Sequence, residues 1–401
     1  LLLVTIAALI GAAWISHSGA SALARAGARP EMRPDTRPGS AHAPPRRALW
    51  ITRWDYRAPE DVQRIMAEAA SLSVTDVIWQ VRGQADAYYR SELEPWGEEI
   101  AGGSDPGFDP LELAIKEAHG RGMRLHAWFN VVPLWKGTQE PRDPGHPLLA
   151  HPRWRVYGAD GKAQALQEGY VVVNPGLPEV QNHIVRVARD IIMRYDVDGL
   201  HLDYVRFMST TAEGGIYPAD DRSLRLMRAD PRMDPNAGAD QMPAWLALRI
   251  SDLVERIRGE AVILRKDVEY SAAVWRNPKL GREVYLQNSA SWLSRGVLDR
   301  AYPMIYFDDT DKFKEDLEAW ERAADGRPVS PGIAVYKHDD PSVTIEQIQA
   351  SSKHDGFALF AYASMFESVD PNQPKDEASV QLRTTRRTAM QRYLRELAKS
   401  R

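Results

Sequence analysis

Residues 178–206 read PEVQNHIVRVARDIIMRYDVDGLHLDYVR. Apolar residues recur at helical spacing from Pro178 to Tyr195, so this part predicts a helix. The part from Gly199 to Arg206 has period two. Leu200 and Leu202 face one way, and His201, Asp203 and Val205 face the other. The unit is therefore a helix leading into a strand that carries polar residues at its end. One such unit decides little, but its recurrence along the chain decides the fold.

Outward from this stretch the same alternation repeats. Short β-branched or aromatic runs predict strands at 48–54, 76–82, 124–131, 199–206, 269–275, 300–306, 329–336 and 357–363. Helical spacing predicts helices at 59–70, 109–121, 178–195, 243–264, 282–295, 311–324, 344–353 and 377–398. Pro59 opens the first of these, a favoured place for proline. Eight strands alternating with eight helices predict an α/β fold, a (β/α)8 TIM barrel. An open doubly wound sheet is the alternative, but it would more often show a glycine-rich phosphate loop after its first strand. Here ITRWDY runs on without glycine. No solenoid-type repeat is visible. Two connections, 132–170 after the third strand and 207–242 after the fourth, are unusually long. In a barrel both lie on the C-terminal face, where active sites are built.

The chain has 401 residues, 51 Lys+Arg and 55 Asp+Glu, for a net charge of −4. That balance argues against nucleic acid as a partner, which usually requires a basic face. The absence of cysteine excludes disulfides, thiolate metal sites and cysteine nucleophiles. Residues 1–15, LLLVTIAALIGAAWI, are short for a membrane span of about 20 residues. They are followed by small residues and the A-x-A-like Ala24-Arg25-Ala26. The reading is a signal peptide over 1–26, then a flexible Pro/Arg/Ala-rich linker over 27–46 and a catalytic domain over 47–401. An uncleaved anchor is the alternative. A periplasmic or secreted protein with no stable membrane insertion after signal removal is expected. The C-terminal helix is strongly basic and is read as a solvated outer face.

In a barrel the C-terminal strand ends converge on one pocket. These ends supply Trp54; Arg82, Asp86 and Tyr88; His126, Trp128 and Asn130; His201, Asp203 and Arg206; Trp275 and Arg276; Tyr302, Tyr306 and Asp308; and Tyr336 and Lys337. Flat rings stack on sugar faces, and carboxylates and amides hydrogen-bond hydroxyls. Any single aromatic is more often a packing residue. With twelve Trp and fifteen Tyr, it is their clustering that points to a glycan pocket. Polar residues at the end of a barrel strand need a reason, so Asp203 and His201 are read as facing the pocket. The plain alternative for Asp203 is a structural carboxylate capping the next helix or pairing with Arg206.

Seven segments together resemble one family: VIWQVRGQADAYYRSELEPW, DPGFDPLELAIKEAHGRGMRLHAWFN, VVVNPGLPEVQNHIV, YDVDGLHLDYVRF, AVWRNP, GVLDRAYPMIY and GIAVYK. In order, they resemble the bacterial glycosyl-hydrolase-like family 10, which is distinct from the family 10 xylanases. The resemblance spans about 47–362. It implies an exported α-amylase-like barrel, in some members cutting peptidoglycan glycan strands stripped of peptide. It implies Asp203 as the catalytic carboxylate, and Asp86, His126, Asn130, His201, Arg276 and Tyr306 as matching pocket positions. Two departures stand out. Tyr204 occupies the place where members often carry a second Asp, and the segment from Arg276 to Gly281 is short.

Glycoside hydrolysis usually needs two carboxyl groups across the scissile bond, one of them kept protonated. Asp203 is expected to be the nucleophile or base, held ionised by Arg276 and His201. The amylase-like template places its acid at the end of strand five, which here reads SAAVWR without a carboxylate. Asp86 is the first choice for the acid, followed by Asp308 or Asp309, then Asp55, then Glu213. The expected partner is a polysaccharide or glycan strand, and no cofactor or metal is expected. One rival is a metal-dependent hydrolase in which His126, His201 and His338 converge, although isolated histidines more often pack in a core or pocket. A second rival is a glycan-binding protein without turnover.

Overall fold

The computed structural model describes residues 45–207 and 218–399. The expected signal peptide, the linker up to Pro44, and Glu213 lie outside the described residues. Among the described residues there are ten strands: β1 (Arg46–Ile51), β2 (Asp76–Arg82), β3 (Arg124–Asn130), β4 (Pro133–Gly137), β5 (Gln167–Val172), β6 (Gly199–Asp203), β7 (Glu269–Trp275), β8 (Arg300–Met304), β9 (Gly332–Ala334) and β10 (Gly356–Phe360). Eight close into a parallel barrel in the order β1-β10-β9-β8-β7-β6-β3-β2. The expected TIM barrel is the observed fold.

β4 and β5 form a separate antiparallel hairpin inside the long third connection, with Lys136 opposite Tyr170. The fourth connection carries a helix, Asp221–Ala229. The expected helix over 282–295 is two short helices, Pro278–Tyr285 and Ser289–Ser294, with Leu286 in the left-handed region between them. Among the described residues no helix is long and apolar enough to cross a membrane.

Helix starts follow the local chemistry. Asp109 accepts from the backbone N–H groups of Leu111 and Glu112. Asp309 does the same for Asp311 and Lys312, and Asp340 for Ser342. Each cap satisfies orphan donors and stabilises its helix by about 1 kcal/mol. The helices bury their apolar stripes against the outside of the barrel. A smaller cluster fills the inside: Ala48, Trp50, Ile78, Trp128, Tyr302 and Ala358.

The barrel floor is ionic. Glu269 accepts from Arg46 at 3.3 Å and from Arg300 at 3.2 Å. Asp76 binds Arg124 and, at 2.9 Å, His126. Buried charges persist only when paired in this way. Gly199 is part of the arrangement. A Cβ there would sit 2.0 Å from His126 Nδ1, so only glycine lets the imidazole occupy the barrel interior.

Candidate functional site

At the C-terminal ends of the strands lies a cavity of about 380 Å³. Its base is Trp50, Trp128 and Phe360. The segment after β1 contributes Thr52, Arg53 and Trp54, and the β4–β5 hairpin contributes Tyr170. The β6 end supplies Asp203, Tyr204 and Arg206; β7 and its end supply Ala273, Trp275 and Arg276; β8 and its end supply Met304 and Tyr306. Gln80 and Asn130 complete the lining.

Among the described lining residues Asp203 is the one carboxylate, facing three guanidinium groups. β6 stops at Asp203 because Tyr204 takes a φ of 50°, in the left-handed region. Such a conformation costs a non-glycine residue about 1 kcal/mol or more, and strain of this kind concentrates at functional sites. The turn lets the Tyr204 backbone N–H reach Asp203 Oδ1 at 2.5 Å. Arg206 Nη1 donates to the same oxygen at 3.1 Å. Burial pushes the Asp203 carboxyl up from its ordinary value, while the Arg206 charge, the Tyr204 amide and the Trp128 indole oppose the shift. The result is a desolvated carboxylate held by one guanidinium, the setting that tunes carboxyl groups for catalysis.

The walls are fixed aromatic groups. The Arg206 guanidinium lies 4.2 Å over the Tyr204 ring and 5.8 Å from that of Trp275. Tyr204 packs edge-on against Tyr170 at 5.1 Å. Arg53 lies 4.0 Å over Trp54 while its Nε donates to Glu99 at 2.9 Å. These cation–π pairs hold the rings in place. Asn130 has its amide occupied, donating to the Gly83 carbonyl and accepting from the Trp128 indole, both at 2.9 Å. It orients Trp128.

The structure brings together eight of the residues singled out from sequence: Trp54, Trp128, Asn130, Asp203, Arg206, Trp275, Arg276 and Tyr306. It places the others elsewhere. His126 is wholly buried on the barrel floor with Asp76. His201 is buried one layer beneath Asp203, between the Trp50 indole at 3.4 Å and Ser271 at 3.0 Å. Burial pushes His201 down to about 3, so it is neutral and gives Asp203 no positive charge. Tyr302 fills the barrel interior. Arg82 forms a buried bidentate pair with Glu94 at 2.7 Å, and Tyr88 is buried with its hydroxyl on Glu99. Tyr336 packs edge-on against Tyr306 at 6.4 Å, beside the cavity but outside its lining. Asp308 and Lys337 are exposed and do not line it.

Two electrostatic expectations are corrected. Arg276 pairs with Asp316, so the cation on Asp203 is Arg206, three residues along. Asp86 is buried outside this cavity; burial pushes its carboxyl up to about 6, with Glu99 adding and Arg53 opposing. Asp309 caps a helix, and Asp55 is held by Thr52 and Ser368. The three histidines do not converge, since His338 binds Thr344 and the Phe307 carbonyl. Among the described residues no group of three His, Asp or Glu is arranged to hold a metal ion.

Arg53, Tyr170, Trp50 and Phe360 line the cavity without having been singled out. Arg53 stood in the quoted strand end RWDY, next to the selected Trp54. Tyr170 sits in a hairpin hidden within a connection that carried no strand prediction.

The sequence model of the family described as glycosyl hydrolase-like 10 matches residues 45–337. Glycosyl hydrolase YngK of Bacillus subtilis is 26% identical over 299 residues, covering 68% of this chain and 55% of that protein. Glycosyl hydrolase DigH of Escherichia coli K12 is 27% identical over 303 residues, covering 68% and 64%. The chain thus spans between about half and two thirds of the length of these relatives. Among solved structures, the glycoside hydrolase domain of PgaB (BpsB) from Bordetella bronchiseptica superposes with a TM-score of 0.57 at 13% identity, covering 85% of this chain and 99% of that one. Alpha-L-fucosidase isoenzyme 2 from Paenibacillus thiaminolyticus gives 0.55 at 14% identity, covering 86% and 49%. At these identities the likeness is one of fold.

Proposed function

The chain belongs to the glycosyl hydrolase-like 10 family, and we propose that it is a glycoside hydrolase acting through Asp203 on a glycan bound across the cavity at the C-terminal end of the barrel. The observation that carries this reading is Asp203 itself, a buried carboxylate on a strained strand end, ringed by Trp54, Trp275, Tyr204 and Tyr306. The names of the similar proteins YngK and DigH support the same reaction class.

Asp203 is the nucleophile or base. The Arg206 charge favours the ionised form against burial, and in that form Asp203 can attack the anomeric carbon or draw a proton from water. The rings of Trp54 and Trp275 seat the sugar faces, and Arg206 and Arg276 offer donors to ring substituents. The leaving oxygen needs a proton from a second carboxyl group. Among the described residues none lines the cavity beside Asp203. Peptide-free peptidoglycan strands, met in the periplasm or outside the cell, are the proposed substrate. The apolar stretch 1–15 and its A-x-A-like sequence support export.

The test is product analysis on intact peptidoglycan, peptide-free glycan strands, and neutral and amino-sugar polysaccharides, with and without chelator. New reducing ends from one glycan, indifferent to chelator, are expected. Binding without cleavage of any glycan would favour a second reading, a glycan-binding barrel without turnover. The solitary carboxylate in the described lining is the observation behind that alternative.

A further inference from the structure

A second cavity, of about 280 Å³, opens beside the first between the loop after β2 and the segment after β4. Its volume falls just under the range of roughly 300–1,000 Å³ used by drug-sized ligands, which leaves room for one sugar ring and not for a chain. Its lining includes Asp86, Trp96, Glu98, Trp135, Arg142 and His146. Resting on the glycoside hydrolase reading above, we propose that this cavity is a distal subsite binding one uncharged pyranose unit of the glycan whose scissile bond lies at Asp203.

The cavity is a built one. Trp135 is locked by its indole N–H donating to the Gln139 carbonyl at 2.6 Å and by edge-on contact with His146 at 5.1 Å. His146 donates from Nε2 to the Gln84 carbonyl at 3.0 Å and accepts the Leu148 N–H on Nδ1. Burial pushes it down to about 4, so it stays neutral. Glu98 joins the two loops by accepting from the Arg142 backbone N–H at 2.8 Å. Trp96 is half-buried and presents an aromatic surface.

Asp86 supplies the unexplained polar group. It is 1% exposed, and its Oδ1 accepts from the backbone N–H groups of Gly83 and Gln84 at 3.1 and 2.8 Å. Its Oδ2 is buried without a partner. A buried oxygen left unpaired is costly, and a sugar hydroxyl would satisfy it. Among the described lining residues Asp86, Glu98 and Asp143 face one cation, Arg142, a balance that repels acidic sugars and admits uncharged ones. The two cavities are connected through the β4–β5 hairpin and the Arg53–Glu99 pair. Arg53 of the main cavity holds Glu99, the neighbour of Glu98. The β4–β5 hairpin places Trp135 in one cavity and Tyr170 in the other.

The test uses the full chain carrying Asp203→Asn and titrates, by calorimetry, β-1,4-linked oligomers of glucose and of N-acetylglucosamine, two to six units long. Affinity is expected to rise with length. Adding Asp86→Asn, which keeps the Oδ1 acceptor, or Trp96→Ala should lower affinity for the long oligomers roughly tenfold and flatten the length dependence. With 5-fluorotryptophan incorporated, the Trp135 fluorine signal should move with the hexamer and not with the dimer. Oligogalacturonides should show no such length dependence. If Trp275→Ala removes binding while Asp86→Asn and Trp96→Ala leave long oligomers bound at full affinity, the subsite is wrong and the main reading stands. If neither these oligomers nor peptide-free peptidoglycan strands bind any of these proteins, both are overturned.

Discussion

Replacing Arg206 by Met should displace the acid limb of the pH–rate profile upward. The two groups meet at 3.1 Å between Arg206 Nη1 and Asp203 Oδ1. At about 4 Å between charge centres and an effective dielectric near 20, the attraction is roughly 4 kcal/mol. One pKa unit corresponds to about 1.4 kcal/mol, so the upper bound is near three units, inside the span of about 1–3 units typical of such neighbours. The sign is fixed by the charges. Arg206 favours the ionised form, so its removal leaves burial unopposed, and the Asp203 carboxyl, already raised, rises further. The kcat/KM profile of Arg206→Met should therefore lose activity at neutral pH and recover as pH increases. Arg206→Lys should restore part of the difference. Met keeps an apolar stem over the Tyr204 ring, so packing is largely preserved. An acid limb that stays in place, or moves down, would refute the idea that Arg206 favours the ionised form of Asp203.

The ionic floor predicts acid sensitivity. Burial alone would raise Glu269, but Arg300 and its neighbours win and hold it down at about 2. A depressed carboxyl contributes stability that is complete above its ordinary value near 4.5 and is lost as pH falls toward 2. Urea unfolding between pH 6 and pH 2 should show that loss, and Glu269→Gln should flatten it while costing about 3 kcal/mol at neutral pH. Gly199→Ala should destabilise the barrel by several kcal/mol through the clash with His126, and His126→Ala in the same chain should recover much of the loss. Thermal unfolding of the two single variants and the double variant measures the coupling.

The barrel was legible in the sequence because each strand is a short run of β-branched and aromatic residues between helices with clear caps. β2 and β7 fall on the ranges read from the sequence, 76–82 and 269–275. The fourth strand was read too long, since period two continues through Val205 while Tyr204 turns the backbone away. The site was legible in part because alternation tells which side of a strand a residue faces, but not its height along the barrel. His126 pairs with Gly199, and Asn130 pairs with Asp203. Four residues at about 3.3 Å each separate these levels by about 13 Å. His126 therefore belongs to the floor, although it faces inward. His201 and Tyr302 miss the cavity because both pack against Trp50, which forms the cavity base. The Arg206 pairing was weighed as a plain structural role for Asp203; it lies in the cavity, where an ion pair also tunes the carboxyl. The hairpin bearing Tyr170 and Trp135 was missed because its strands lie inside a connection of mixed polarity.

The central claim is that Asp203 performs the chemistry in a cleft that binds glycan. Its most direct test measures reducing-end release and glycan binding side by side for the wild type and Asp203→Asn. The account predicts that the variant releases no product from the glycan the wild type cuts and still binds it. Undiminished release by Asp203→Asn would contradict it.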